Sequence, residues 1–496
     1  MSKIELDKID EVHMRIVTDA GVKRELSDYF AFRPPGYQFH PRFKQKVWDG
    51  FIRLYSPFNN RLYVGLIPYV AKFCEDRGYE LSVPDNLTAD HSVDETYGYW
   101  LAKEINVPFP PRDYQNEYVV HAIRNNRAVL SSPTGSGKSL MIYLLANHYN
   151  LTQDLRTLII VPTISLVHQM AGDFVDYGGS PDDMHKIQGG ADKNTNKKFV
   201  VSTWQSIVKQ PKEWFDQFGV VIGDEAHLFQ AKSLSSIMEK MTGCKYRFGL
   251  TGTVKSDSDS KVHKLVLEGH FGKVKKIVKT KDLIDNGTLA SFNINAIVMR
   301  HSGEDITELN KIKRKVQKNQ KYHAERDFII QSEKRNLFIR NLVWSLKDQN
   351  NLVLYDLVEK HGAPLAELLR RDDRVLHFIH GGVSGAERED MRITVENDPI
   401  KQHDIVASFG TLSTGVNLKR LDNIIFAASG KSEVKVFQSI GRSLRKGNGA
   451  DNATLYDLAD DLSSGSYDNY ALSHFKERVE MYDNEGFQYK VFNVKL

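Results

Sequence analysis

Cysteine is almost absent: Cys74 and Cys244 are the only two in 496 residues. Two thiols cannot build a disulfide framework or a metal cage, so the chain fits a reducing compartment and both read as small core residues. No apolar run reaches spanning length, which excludes a helical membrane anchor and any membrane partner. The amino terminus, MSKIELDKIDEVHMRIV, mixes acids and bases and lacks the basic, apolar and small-residue order of a signal peptide, so a cytoplasmic location is expected. An excess of one charge sign is missing too. Lys and Arg number 67 against 63 Asp and Glu, a formal net charge of +4, which permits a nucleic-acid partner without demanding one. With 41% hydrophobic and 26% charged residues, the composition is that of a globular protein long enough for two or three domains.

What is present begins with SPTGSGKS, Ser132 to Ser139. The run AVLSS from Ala128 reads as a strand and LMIYLLANHY as a helix, so the segment is strand, phosphate loop, helix. Gly135 and Gly137 free the backbone to aim N–H groups of Thr134 to Ser139, Ser136 included, at phosphate oxygens, and the helix presents its positive end to the same anion. Lys138 adds a mobile charge for the outer phosphates, and the Ser139 hydroxyl suits Mg²⁺. Ser132 stands where the strict pattern has its first glycine, a substitution that a small residue makes sterically tolerable.

Further on, VVIGDEAH, Val220 to His227, reads as a buried strand ending in two carboxylates. Ligands of open parallel sheets bind at that end. Asp224 suits the water shell of Mg²⁺, and Glu225 suits orienting or deprotonating the water that attacks the γ phosphate. Taken alone, the same letters could be an ordinary acidic helix start. Their pairing with a phosphate loop favours ATP chemistry.

Along the chain, residues 1–85 read as a small α+β unit, with strands in EVHMRIV and RLYVGL around a helical VKRELSDYF. Within it, Arg33, Arg42, Lys44, Lys46 and Arg53 interleave with Tyr37, Phe39, Phe43, Trp48 and Phe51, a pattern that grips phosphates and stacks on bases unless the aromatics are core and the charges a solvated face. A linker, 86–110, ends in the Pro-rich NVPFPP. Residues 111–284 alternate strands and helices and imply a parallel sheet covered on both faces. The rhythm resumes after a charged stretch, Glu308 to Leu346, expected to be a long helix broken near Gln331, so 285–462 form a second α/β domain. The remainder, 463–496, holds a helix and an expected strand pair in GFQYKVFNVKL, packed on the second domain. Whether the basic stretch Lys311 to Lys321 touches nucleic acid or only solvent stays open.

The ordered motif set, over roughly residues 110–460, resembles the superfamily 2 helicases. RDYQ, with Arg112, Tyr114 and Gln115, looks like the adenine-recognising element. VPTISLVHQ, with Pro162 and Thr163, and STWQS, with Thr203, are similar to strand-contacting motifs. LTGT, with Thr251, Gly252 and Thr253, resembles the link between hydrolysis and domain movement. TLSTGVNL, with Thr411, Thr414 and Gly415, and FQSIGRSLR, with Gln438, Gly441, Arg442 and Arg445, look like the motifs of the second domain, Thr411 as a phosphate contact and Gln438 as a coupling residue. A guanidinium delivered from another domain stabilises γ-phosphate charge and makes hydrolysis depend on closure, which suits Arg442 and Arg445 as catalytic residues. Short Thr hydroxyls beside backbone N–H groups hold phosphates without reading bases, although each could instead cap a helix.

The resemblance implies an α/β fold of two tandem RecA-like parallel-sheet motor domains, ATP and Mg²⁺ as cofactors, and the small amino-terminal unit as a DNA-binding domain. The DEAH spelling, IGRSLRKG and that unit are most similar to phage recombination and repair helicases, close to XPB-like and RecG-like motors. Such relatives imply branched, single-stranded and duplex DNA and RNA–DNA hybrids as partners, with fork reversal and junction migration as activities. A monomer is favoured, and polarity and step size stay open. Two rivals share these motifs: an RNA helicase, and a nucleic-acid binding or annealing factor in which ATP controls binding without strand separation. A restriction motor is disfavoured by the lack of a nuclease carboxylate cluster with a partner lysine.

Overall fold

The computed structural model describes residues 2–34, 36–88, 93–252, 261–288, 291–398, 402–409, 411, 421–428, 452–465 and 467–496. The chain divides into two compact units, Met1–Ser132 with Gly137–Ile277, and Val278–Leu496 with Pro133–Ser136. No described helix is long and apolar enough to cross a membrane.

The first unit begins with β1 (Lys3–Lys8) and β2 (His13–Val17), a two-strand ribbon of β3 (Ala31–Phe32) and β4 (Ile52–Arg53), then β5 (Arg61–Tyr63) and β6 (Glu80–Ser82). Outside the ribbon, the strands form a sheet of order β5-β2-β1-β6. Alternation puts Ile4, Leu6, Met14 and Ile16 on one face, where they bury against the helices Ala20–Tyr29 and Ile67–Arg77. Asp19 starts the first helix by accepting the Val22 N–H at 2.9 Å.

This small sheet is seated firmly on the domain that follows. The Glu11 N–H donates to the Thr242 carbonyl at 2.9 Å, Arg127 pairs with the Glu11 carboxylate at 3.0 Å, and the Tyr63 hydroxyl donates to Glu239 at 2.8 Å. Gly65 lies so close to the helix Lys261–Phe271 that a Cβ would sit 2.0 Å from the Glu268 carbonyl oxygen. Leu265, from the same helix, completes the amino-terminal core.

The larger sheet of this unit holds β7 (Arg127–Ser131), β8 (Thr157–Val161), β9 (Met184–Ile187), β10 (Phe199–Thr203), β11 (Val220–Asp224), β12 (Tyr246–Thr251) and β13 (Val274–Lys276). All seven are parallel, in the order β13-β7-β12-β11-β8-β10-β9. Strands β8 and β10 are buried at every residue, as their unbroken apolar runs require between two layers of helix. Because the strands run one way, Ser131, Thr203, Asp224 and Thr251 all end on the carboxyl edge. At the start of β12, the buried Arg247 guanidinium donates to the carbonyls of Met238, Met241 and Cys244 and closes that end of the layer.

The second unit has β14 (Ser291–Arg300), β15 (Asn351–Tyr355), β16 (Val375–Ile379), β17 (His403–Ser408), β18 (Asn423–Phe426), β19 (Asn452–Asp461) and β20 (Tyr489–Lys495). It is again a seven-stranded parallel sheet, of order β16-β17-β15-β18-β19-β14-β20. The charged stretch breaks near Gln331 as expected, where Ser332 caps the helix Glu333–Ser345, and it also breaks between the helices Gly303–Lys315 and Lys321–Ile330. The expected carboxyl-terminal strand pair is one strand. Tyr489–Lys495 carries no turn residue pair to fold it back, and the helix Tyr470–Glu485 supplies the crossover that lets β20 lie parallel to β14 at the sheet edge.

Two buried carboxylates on β19 anchor this unit. Asp460 accepts from Arg335 Nε at 2.8 Å and contacts His301 Nε2 at 3.0 Å, while Asp457 accepts from Arg478 Nη2 at 2.8 Å and the Tyr482 hydroxyl at 2.9 Å. Burial pushes the Asp460 carboxyl up, but Arg335 and His301 outweigh it and hold the group below the ordinary carboxylate range. Asp460→Ala strands the buried Arg335 charge and is expected to cost ~3–5 kcal/mol of second-unit stability in urea unfolding. Asp468→Ala, which breaks a half-exposed pair with Lys476, should cost about 1 kcal/mol or less.

Candidate nucleotide site and nucleic-acid interface

The chain leaves β7 through Ser132, turns at Pro133–Gly137 and enters the helix Lys138–Gln153. Gly135 and Gly137 have φ of +83° and +81°, the left-handed values that glycine adopts without strain. Gly137 has a second reason to be glycine: a Cβ would lie 2.3 Å from Gln115 Nε2. Gln115 is 2% exposed and its Oε1 accepts the Arg112 N–H at 2.8 Å, so RDYQ is locked against the loop from behind. The Arg112 guanidinium donates to the Tyr114 hydroxyl at 3.3 Å. Thr134 and Ser136 lie in the turn itself, where the Ser136 N–H donates to the Pro133 carbonyl at 3.2 Å.

Strand β12 lies between β7 and β11 and draws their ends together. The Ser132 N–H donates to the Thr251 carbonyl at 2.9 Å, and Lys138 Nζ reaches back to the Ser132 carbonyl at 3.4 Å. At the end of β11, Asp224 Oδ1 is shut off from solvent and has no hydrogen-bond partner among the described residues. Burial, and then the adjacent Glu225 charge, push the Asp224 carboxyl up to about 7, against the pull of Lys138. Glu225 itself is left-handed, φ +50° and ψ +51°, a conformation that costs a non-glycine residue ~1–2 kcal/mol. Its Oε2 lies 3.4 Å from His227 Nδ1, and that ring nitrogen also lies 3.0 Å from Thr251 Oγ1. The acidic strand end and the LTGT segment, which includes Gly252, therefore meet through one imidazole.

Several of these contacts had no legible signal. Ser139 Oγ is hydrogen-bonded to the Tyr177 hydroxyl at 2.8 Å, and the Tyr177 ring packs against Phe109 and Tyr143. Tyr177 ends the helix Ile164–Asp176 and lies in no recognisable motif. His227 and Thr251 each lie in a quoted motif, but spacing does not show that they touch.

Pro162 and Thr163 follow β8, Thr203 ends β10 and Thr411 follows β17. The hydroxyls of all three threonines are engaged locally. Thr163 accepts from Leu166 N–H at 3.4 Å, Thr203 bonds Ser206 at 2.9 Å, and Thr411 bonds Ser408 at 2.6 Å. Thr163 thereby caps the helix Ile164–Asp176, the role open to any loop threonine, whereas Thr203 and Thr411 bond neighbouring serine hydroxyls. In the amino-terminal unit Phe39 is exposed and Tyr37, Phe43, Trp48 and Phe51 are partly buried, so none of these aromatics belongs to the buried core. Arg33 lies over the Phe51 ring at 4.4 Å, and Arg42, Lys44 and Lys46 are exposed. Arg53 is half-exposed and paired with Asp49. In the basic stretch after Lys311, Lys313 is drawn inward to the buried Glu325, whereas Lys311, Arg314 and Lys315 face solvent. Thr253, Thr414, Gly415, Gln438, Gly441, Arg442 and Arg445 lie outside the described residues.

Gly137→Ala should weaken ATP binding about tenfold or more, from ~1–2 kcal/mol of left-handed strain plus the clash with Gln115. Titration with a fluorescent ATP analogue checks this; an unchanged Kd contradicts it.

A model of the DNA helicase UvsW amino-terminal domain matches residues 3–84, and a model of the type III restriction enzyme res subunit matches residues 108–256. The ATP-dependent DNA helicase UvsW of Enterobacteria phage T4 is 36% identical, over 98% of this chain and 98% of its own. The crystal structure of T4 UvsW aligns over 99% of both chains with 35% identity and a TM-score of 0.51. The DNA 3'-5' translocase XPB2 of Sulfurisphaera tokodaii is 32% identical over 32% of this chain and 38% of its own. Because the likeness to UvsW runs through the amino-terminal sheet and both parallel sheets, and not through the nucleotide site alone, the chain belongs to the UvsW family of ATP-dependent DNA helicases.

Proposed function

We propose that this helicase uses ATP to remodel branched DNA: reversing forks, migrating junctions and unwinding RNA–DNA hybrids in recombination, repair and replication control. The observation that carries its chemistry is the orphaned Asp224 Oδ1 beside Glu225, at the strand end two places from the phosphate loop. A buried carboxylate oxygen without a partner suits a cation, so Asp224 and Ser139 would hold Mg²⁺. Mg²⁺ when bound supplies charge neutralisation at the outer phosphates.

In this reading the backbone from Thr134 to Ser139 cradles the phosphates and Lys138 Nζ turns from the Ser132 carbonyl to the anion. Glu225 orients the attacking water and takes its proton, and its left-handed backbone sets the carboxylate beside His227. Thr251 reports the state of that carboxylate through the same imidazole, with Thr253 and Gln438 carrying the signal onward. Arg112, Tyr114 and Gln115 recognise the base. Arg442 and Arg445 complete the γ-phosphate site by charge. Thr203 ends β10, and Thr163 and Thr411 follow β8 and β17, all at carboxyl edges, where with Pro162 they would track the DNA backbone.

The amino-terminal segment, with exposed Arg42, Lys44 and Lys46, the half-exposed Arg53 and an exposed Phe39, would hold duplex or junction DNA beside the motor. A monomer acting in the host cytoplasm fits the likeness to a phage helicase.

Lys138→Ala should abolish ATP hydrolysis, and Glu225→Gln should retain ATP binding while losing ~100-fold or more in turnover; normal hydrolysis by Lys138→Ala would refute the assignment. DNA-stimulated ATPase should be highest with forks and four-way junctions when single strand, duplex and hybrid are compared at one salt concentration. Replacing Arg42, Lys44 and Lys46 together by Ala should flatten the slope of log affinity against log salt by roughly three, one for each lost phosphate contact.

A further inference from the structure

A cavity of about 670 Å³ lies within the first unit, between the amino-terminal sheet and the amino edge of the first parallel sheet. Arg127 opens β7 and Lys245 precedes β12, so this cavity is at the opposite edge from the phosphate loop, which follows the carboxyl end of β7. Its two walls differ in kind. Arg127, Lys245, Lys273 and Lys275 come from the parallel-sheet side, whereas Val64, Ile67, Pro68, Val83 and Leu87 come from the amino-terminal side.

The charge on the first wall is poorly compensated. Among the described residues Glu11 is the one carboxylate lining the cavity, and it is shared between Lys8 and Arg127 at 2.6 and 3.0 Å. Lys245 and Lys273 have no carboxylate partner among the described residues, and Lys275 has only a half-exposed Glu117 at 3.7 Å. The Arg127 side chain is 10% exposed, and one of its terminal nitrogens, Nη1, is without a partner. Burial and the Lys275 charge push His121, on the same wall, down to about 4, so it adds no charge at neutral pH.

Lysines on an edge strand often serve only to discourage pairing with other chains. That role concerns edge strands, and here Arg127 opens the inner strand β7 and Lys245 precedes the inner strand β12, across a cavity from an apolar wall. Strand β13, which contributes Val274 and Lys275, is the outermost strand of its sheet. In an extended chain successive side chains point to opposite sides, so a segment alternating acidic and apolar residues would meet the cationic wall with one set and the apolar wall with the other. A DNA duplex is too wide for a cavity of this volume, and among the described residues its lining holds no Phe, Tyr or Trp on which single-stranded bases would stack. We propose that this cavity is a docking site for an extended acidic peptide segment of a partner protein, lying across the amino ends of β13, β7 and β12 with acidic side chains on Arg127, Lys245, Lys273 and Lys275.

The test is fluorescence anisotropy of the full-length protein with a short labelled peptide in which Asp alternates with Leu, at fixed salt. A second peptide of identical composition has the Asp and Leu residues in two blocks. The alternating peptide should bind more tightly than the blocked one, and Lys245→Glu with Lys273→Glu should weaken it about tenfold or more. Both lysines are exposed, so folding should be unaffected, and Lys245→Gln with Lys273→Gln should give a smaller loss in the same direction. Single-stranded DNA affinity and DNA-stimulated ATPase of these variants should match the parent. Equal binding of the two peptides, or no binding, overturns the proposal. A parallel loss of DNA affinity in the variants would make the cavity a nucleic-acid site and also overturn it.

Discussion

Two carboxylates side by side at the end of one strand, in a place where water is scarce, repel each other, and the organisation of the first unit answers that repulsion. The Lys138 charge acts on Asp224, and the His227 imidazole lies beside Glu225. Burial first, and the Glu225 charge second, push the Asp224 carboxyl up against the pull of Lys138. Such a pair is costly for folding and suited to receiving further positive charge. Backbone strain at Glu225 concentrates at the same point.

That arrangement depends on the parallel sheet. Only strands that all run one way bring Ser131, Asp224 and Thr251 to one edge, and only the order β7-β12-β11 puts the Thr251 strand between the phosphate loop and the acids. At the opposite edge of the same strands Arg127 and Glu11 join the sheet to the amino-terminal unit, and Arg247 ties β12 to the carbonyls before it. The second unit solves its own burial problem differently. Its charges are sunk in pairs on β19, with Asp457 and Asp460 each holding an arginine from another element.

Much of this was legible because the chemistry demands particular residues at fixed spacing. The phosphate loop, the acidic strand end and the alternation of strand and helix follow from Gly135, Gly137, Lys138, Asp224 and the apolar runs before them. The aromatic and basic segment from Arg33 to Arg53 leaves two readings open, and the absence of its five aromatics from the buried core weighs against the core reading. What stayed hidden are contacts between distant residues with no pattern of their own. Tyr177 on Ser139, Gln115 behind Gly137, and Gly65 against the Glu268 carbonyl depend on packing that spacing does not encode. The carboxyl-terminal strand was misread as a pair because its edge position, with one neighbour and exposed side chains, blurs the buried pattern that marks a central strand.

The account rests on hydrolysis, and not nucleotide binding alone, driving strand separation. The most direct test is displacement of a labelled strand from a forked DNA with ATP, with ADP and with a non-hydrolysable ATP analogue, using the same protein at one salt concentration. Displacement should appear with ATP alone, although the analogue occupies the same site. Equal displacement with the analogue would contradict the account and make the protein a nucleotide-regulated binding factor.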